Sequence, residues 1–195
     1  MPRMPRGCWA REPHAGAGRV IHTRRLILRG WREADLRPYY AMGQDREVMR
    51  YIGPLATRGD VRSTHDRMNG RLERHGHCFW AVERKGDGRF LGFCGLVRGT
   101  PPIGGEVEIG WRLARHAWGQ GYAREAAEAS LSWAWRNLDR ASIAGVTVAA
   151  NARSRGLMER LGMTREPGGD FDHPELGPRD PLRRHILYRI GRPAA

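Results

Sequence analysis

The sequence predicts a mixed α/β fold of the α+β type, and three observations support that prediction. The chain has 195 residues, a suitable length for one domain, and 40% of them are hydrophobic, enough to form a core. Segments with strand-like apolar alternation are separated by segments with helical periodicity. No segment of the sequence repeats, so the predicted order of elements is β-α-α-β-β-β-α-β-α-β.

The first half of the chain is predicted to contain a strand, three helices and a β-hairpin. Apolar and charged residues alternate over 23–31, which favours a strand. Helical patterns follow over 33–42, 46–51 and 57–74. The hairpin joins two apolar runs, 79–82 and 89–97, through Asp87-Gly88, a pair typical of tight hairpin turns.

The second half begins with a loop rich in proline and glycine over 100–105, followed by a strand over 106–113. Alanine and leucine recur at helical spacing over 121–138, with charged residues on the other face, which predicts an amphipathic helix. A buried strand is expected over 141–149, a short helix from Asn151 to Leu161 and a final strand over 184–190.

Charge and cysteine usage limit the classes of function. Lys and Arg total 34 against 21 Asp and Glu, a formal charge of +13, and Lys85 is the only lysine. This charge favours anionic partners, but the arginines are scattered and form no recognition motif, which argues against nucleic acid. The three cysteines include no CxxC pair, so a disulfide framework is excluded and a cytoplasmic location is favoured. No run of 18 apolar residues is present, which argues against a membrane span.

The domain organisation follows from composition. Residues 1–22 contain three prolines and several arginines and are predicted to form a disordered basic arm. A single domain is predicted over 23–191, and 192–195 form a C-terminal tail.

The most informative stretch, 105–135, runs from a strand through a short glycine loop directly into the amphipathic helix. The loop consists of Trp118, Gly119, Gln120, Gly121, Tyr122 and Ala123. Two glycines allow backbone N–H groups to converge, and the start of a helix adds positive dipole charge, so the loop is suited to a phosphate. A tight turn with no ligand remains the alternative. The loop is neither a Walker loop nor a dinucleotide-binding GxGxxG motif.

These residues resemble the acyl-CoA-binding segment of the GNAT N-acetyltransferase superfamily, and they are similar to the branch that acetylates ribosomal-protein N-termini. The family pattern Arg/Gln-x-x-Gly-x-Gly/Ala is matched as Trp118-x-x-Gly121-x-Ala123, where Trp departs from the general pattern but is usual for the branch. A second family segment follows in 146–163 and includes Asn151-x-x-Ser154. The resemblance covers roughly 23–191.

The resemblance implies a central, mostly antiparallel twisted sheet of about six or seven strands, flanked by about four helices. It implies direct transfer of an acetyl group from acetyl-CoA, as co-substrate and without a metal, to an amine acceptor. The acceptor is the amine of a protein N-terminus or of a small molecule. Homodimers are frequent among relatives, so a homodimer is a candidate assembly.

The resemblance also assigns residues to coenzyme binding. The pyrophosphate is expected at the loop from Trp118 through Arg124, held by backbone N–H groups. The strand over 106–113 is expected to splay from the next strand, so that main-chain groups of Trp111 and Leu113 bond the pantetheine amides. Asn151 is expected to contact the pantetheine arm, and capping its own helix is an equally good use of its side chain.

Two side chains are candidates for the chemistry. Glu108 matches a position that often serves the acceptor amine, and it is expected to act as a base, directly or through water. Glu106 lies two residues away on the same strand face and is the alternative, and a surface role for both is the third interpretation. Ser154 is expected to protonate the leaving thiolate, and the alternative is a hydroxyl at a helix start.

Other interpretations stay open on the sequence alone. A GNAT-like fold can bind acyl-CoA as a regulator without catalysis, and a basic protein can bind nucleic acid. His75-Gly76-His77-Cys78 contains metal-ligand residue types but lacks a second pair, so no metal site is expected. Cys94 could carry an acyl group, but a buried strand cysteine is normally inert.

Overall fold

The computed structural model describes residues 20–100 and 102–194, which fold around one twisted sheet. The strands are β1 (Ile21–His22), β2 (Leu26–Arg29), β3 (Phe79–Arg84), β4 (Phe90–Arg98), β5 (Val107–Leu113), β6 (Ser142–Val148), β7 (Thr164–Arg165), β8 (Phe171–Asp172) and β9 (Arg184–Gly191). The helices are α1 (Leu36–Gly43), α2 (Arg46–Met49), α3 (Arg58–His75), α4 (Tyr122–Asn137) and α5 (Ala152–Arg160). Short 3₁₀ turns precede α1 and α4 at Glu33–Asp35 and Arg115–Ala117.

The sheet has the order β1-β2-β3-β4-β5-β6-β9-β7, with β8 also paired to β9. Every neighbouring pair is antiparallel except β5 and β6, which run parallel. The predicted mixed, mostly antiparallel fold is therefore confirmed. Six of these strands have four or more residues, and the other three have two.

The described fold begins and ends outside the predicted limits of the domain. Ile21–His22, placed in the arm by composition, pairs with β2, and Ile21 is only 7% exposed. Residues 1–19, which include the rest of the arm, lie outside the described residues. Arg192, placed in the tail, donates to the carbonyls of Trp135 and Leu138 and so satisfies the C-terminal end of α4. Neither feature has a periodic pattern that a sequence could reveal.

The two faces of the sheet carry different helices. On one face α4 is buried through Ala126, Ala127 and Leu131, and Ser130 Oγ lies 3.9 Å from Cys94 Sγ of β4. On the other face α1 and α3 pack, and the hydroxyl of Tyr39 in α1 accepts from Arg112 of β5. Because side chains alternate along a strand, Glu108 points to the same face as Arg112. No helix within 20–100 or 102–194 is long and apolar enough to cross a membrane.

The contact between β5 and β6 is the weakest joint of the sheet. β5 is paired with β4 along its whole length, and β6 is paired with β9 in the same way. Between β5 and β6, only Glu108 and Ala144 are in register. The two strands therefore diverge beyond Glu108 toward their C-terminal ends, as the family resemblance implies.

Candidate active site

The gap between β5 and β6 is lined by unpaired main chain of β5. Gly99 N–H donates to the Glu106 carbonyl and Ala114 N–H donates to the Leu91 carbonyl. In an antiparallel ladder these bonds alternate, so even-numbered residues of β5 bond to β4 and odd-numbered ones face β6. The main-chain groups of Trp111 and Leu113 thus face the gap, where an extended chain with amides could pair with them.

The carbonyl of Leu113 already has one partner in this gap. The indole nitrogen of Trp118 donates to it over 2.8 Å. A carbonyl has two lone pairs, so this bond still permits a second donor. The bond also ties Trp118, the first residue of the glycine loop, to the end of β5.

The glycine loop ends at the N-terminus of α4 in a conformation that requires glycine. Gly119 and Gly121 have φ of 72° and 78°, and Gly121 is the N-cap residue. The first bond of the helix is from Glu125 N–H to the Gly121 carbonyl, so the N–H groups of 122–124 have no acceptor within the helix. The loop and the helix dipole together form a cradle for an anion.

Arg25, the residue immediately before β2, holds this loop in place. It is not among the site residues predicted from the sequence. Its Nη1 donates to the Gln120 carbonyl over 3.0 Å and its Nε donates to Glu125 over 2.6 Å. Its guanidinium also lies 4.5 Å from the centre of the Tyr122 ring. Spacing in the sequence gives no sign of this contact, because Arg25 and Gln120 lie 95 residues apart.

Across the gap, the start of α5 carries Asn151 and Ser154. The Asn151 side-chain oxygen accepts from Ser154 N–H over 3.2 Å and caps the helix. The cap uses only the acceptor of the amide, so its NH₂ group is not consumed by it. Ser154 itself is half-buried in the first turn of α5.

Glu108 lies at the last point of contact between β5 and β6. Its burial raises its pKa to about 7, and the positive charge of Arg71 in α3 acts in the opposite direction. Glu106, the alternative base, is held by two bonds of 2.8 and 3.0 Å from the guanidinium of Arg189. Glu106 therefore has a cationic partner, whereas Glu108 has no hydrogen-bonded side-chain partner among the described residues.

A family model described as "Acetyltransferase (GNAT) domain" matches residues 25–164. The chain belongs to the GNAT acetyltransferase family. A Bacillus subtilis protein, YkkB, is 33% identical over 145 residues, which is 72% of this chain and 83% of the relative. The chain is an acetyl-CoA-dependent N-acetyltransferase, as its sequence predicted.

Solved GNAT structures share the fold. An acetyltransferase from Agrobacterium tumefaciens is similar with a TM-score of 0.71 and 26% identity, over 88% of this chain and 93% of that one. RimL, a ribosomal L7/L12 α-N-protein acetyltransferase in complex with coenzyme A, gives a TM-score of 0.72 at 16% identity. That match covers 88% of this chain and 97% of RimL. At such low identity, RimL shows the fold alone.

This GNAT chain has Trp118 where the general family pattern has Arg or Gln, and the Trp118 ring contacts an arginine. The guanidinium of Arg153, in the first turn of α5, lies 4.4 Å from the centre of the Trp118 ring. An arginine from the other side of the gap therefore brings positive charge to the loop. The Arg124 side chain, by contrast, bonds Glu128 on its own helix over 2.7 Å.

Cys94 and the His75–Cys78 segment were also considered in the sequence as reactive or metal-binding groups. Cys94 is fully buried, and burial raises its pKa to about 12, which leaves the thiol unreactive. His77 Nδ1 lies 2.9 Å from the Leu96 carbonyl. Within 20–100 and 102–194, no three residues of the metal-ligating types form a cluster that could hold an ion.

Proposed function

We propose that this GNAT acetyltransferase transfers the acetyl group of acetyl-CoA directly to a primary amine, the α-amine of a protein N-terminus or the amine of a small molecule. This proposal rests on the position of Glu108, which lies at the closed end of the gap between β5 and β6 and has a pKa of about 7. A carboxylate with that pKa is half ionised at neutral pH and can both take up and release a proton.

The residues around the gap fit coenzyme A. The pyrophosphate would be held by backbone N–H groups of Gly119 to Arg124, with charge added by Arg153. The pantetheine amides would pair with the main chain of Trp111 and Leu113 on one side of the gap, and Asn151 would contact the arm from the other. With these contacts, the thioester would lie at the closed end of the gap, next to Glu108.

The proposed reaction uses one proton acceptor and one proton donor. Glu108 takes a proton from the acceptor ammonium, directly or through water, and the neutral nitrogen attacks the thioester carbonyl carbon. A C–N bond forms, the C–S bond breaks, and the sulfur leaves with the bonding electron pair. The Ser154 hydroxyl would protonate that sulfur. The nitrogen loses a second proton as it becomes an amide, that proton restores the Ser154 hydroxyl through water, and the proton on Glu108 returns to solvent.

The ionisation of the amine favours an α-amine over a lysine-type amine. An α-amine of pKa about 7.9 costs about 1.2 kcal/mol to deprotonate at pH 7, whereas a lysine-type amine of pKa about 10.4 costs about 4.6 kcal/mol. A half-ionised carboxylate such as Glu108 is sufficient for the first acceptor and weak for the second.

The test is the pH dependence of kcat/KM for thiol release from acetyl-CoA with N-terminal peptides and a lysine-type amine. The wild-type rate should rise with pH through about 7, because Glu108 must lose its proton before it can act as a base. The Glu108→Gln variant should lose about 100-fold at pH 7, since general base effects span about 10²–10⁴-fold. The loss should shrink at higher pH, where solution deprotonates the amine, and should be larger for the lysine-type amine.

Glu106→Gln is the matched control, since it makes the same chemical change two residues away, immediately before β5. It should retain the ionisation near pH 7, because Glu106 is engaged by Arg189. A Glu108→Gln profile that overlays the wild type for every acceptor would exclude Glu108 as the base.

A further inference from the structure

A basic cavity lies beside Glu108 and has no part in the proposed coenzyme site. It has a volume of about 530 Å³ and lies between the C-terminal end of α3, the end of β4 and the loop before β5. The basic residues that line it are Arg71, Arg74, His75, His77 and Arg98. Its described lining includes no carboxylate.

The register of the sheet places this cavity next to the proposed base. Val97, which lines the cavity, is the partner of Glu108 in the β4–β5 ladder. Arg71, which also lines it, is near enough for its charge to lower the pKa of Glu108. A molecule whose amine reaches Glu108 can therefore extend into the cavity from the α3 face.

Arg71 is the least exposed of the three arginines that line the cavity. This guanidinium is half-buried, and its burial together with the like charges of Arg67 and Arg74 lowers its pKa. Glu108 offsets that charge only in part, because its own pKa of about 7 leaves it incompletely ionised. Burial lowers the pKa of His77, so this ring adds no charge at neutral pH.

We infer that the cavity binds a carboxylate carried by the acceptor, so that the acceptor class is an amine that bears an anionic group on the same molecule. This inference rests on the proposed function and specifies its acceptor. A guanidinium can hold a carboxylate through two parallel N–H···O bonds, which positions the acceptor as well as attracting it. A polyamine would bring a second cation toward Arg71 and is disfavoured by repulsion.

The test compares two acceptors that share an α-amine and differ by one charge, the dipeptide alanyl-alanine and its C-terminal amide. We expect kcat/KM for the acid to exceed that for the amide by about 10-fold, the effect of one charge-assisted hydrogen bond. In Arg71→Gln this ratio should fall to about one, with the change mainly in KM. The ratio is the informative quantity, because any effect of Arg71 on the ionisation of Glu108 acts on both acceptors equally.

Arg67→Gln is the control, since it removes one positive charge from the same helix at a residue that does not line the cavity. It should leave the ratio unchanged, whereas Arg74→Gln, at an exposed lining residue, should lower the ratio partially. An equal rate for acid and amide in the wild type, or an unchanged ratio in both lining variants, would overturn the inference while transfer to both amines still supported the proposed function. An absence of transfer to any amine would overturn both.

Discussion

Glu106, immediately before β5, and Glu108, within β5, have different surroundings although they lie two residues apart. Arg189 of β9 engages Glu106 with two hydrogen bonds, whereas Glu108 faces α3 without such a partner among the described residues. The sequence could nominate both carboxylates but could not separate them. The distinguishing arginine lies 83 residues away in the chain.

Ser154 is the second residue whose role depends on its surroundings. Its amide is used by the Asn151 cap, which fixes the first turn of α5 and leaves the hydroxyl to act independently. A thiol with a pKa of about 8.5 needs only modest help to leave at neutral pH. We therefore expect Ser154→Ala to lower kcat by about 10- to 100-fold without abolishing it, near the low end of general acid effects.

Steady-state thiol release measures this effect, and Ser154→Thr, which restores a hydroxyl at the same carbon, should recover part of the rate. Ala152→Gly serves as a control for the helix start, because it weakens the first turn of α5 and keeps the hydroxyl. If Ser154→Ala turns over as fast as the wild type, the hydroxyl has no role in protonating the thiolate.

At the scale of elements, the periodic segments were predictable and the two-residue strands were not. The helix predicted over 121–138 is Tyr122–Asn137, and the hairpin around Asp87-Gly88 joins β3 to β4 as expected. β1, β7 and β8 have two residues each, too few to show the alternation of apolar and polar residues that predicts a strand. They form because the backbone of a longer neighbouring strand is available for pairing. The clamp of Arg25 on the glycine loop likewise depends on a tertiary contact.

The glycine loop leads to a prediction about coenzyme affinity. Gly121 has a φ of 78°, so a side chain there strains the backbone and turns N–H groups away from the anion. We expect Gly121→Val to weaken coenzyme A binding by about 10- to 100-fold, as expected when about 1.5–3 kcal/mol of charge-assisted bonding is lost. Isothermal titration calorimetry with coenzyme A measures this change.

Gly88→Val is the control for backbone strain. Gly88 has a φ of 67° in the β3–β4 turn, and the position that a Cβ would take there is surrounded by open space. Both variants should lose stability, and only Gly121→Val should lose affinity. Equal affinities in the two variants would remove the loop from the coenzyme site.

At the scale of the whole molecule, a buried ionic network joins the β2 edge of the sheet to the start of α1. Arg29 is 5% exposed and Asp35 is 2% exposed, and two bonds of 2.7 and 2.9 Å connect them. Glu83 of β3 accepts from the same guanidinium over 2.7 Å. The network fixes α1 against the face that carries Glu108.

Removing one partner of this network should destabilise the fold strongly. Asp35→Ala leaves the Arg29 guanidinium buried with one carboxylate instead of two, and loss of a buried partner typically costs about 3–5 kcal/mol. Urea denaturation followed by circular dichroism measures the change. Glu33→Ala, in the same 3₁₀ turn, removes an exposed pair with Arg62 and should leave the midpoint almost unchanged. Similar midpoints for the two variants would contradict the importance of the network.

Because only one pair of residues is in register between β5 and β6, the sheet consists of two half-sheets whose backbones are paired at one point. A bound amide-containing arm would occupy the place of the missing ladder and make the two halves mechanically continuous. The loaded enzyme should then be stiffer than the empty one, and departure of the product coenzyme requires this substitute ladder to open. If the acetyl donor enters this divergence as proposed, the rigidity of the molecule is connected to the rate at which it can begin another cycle.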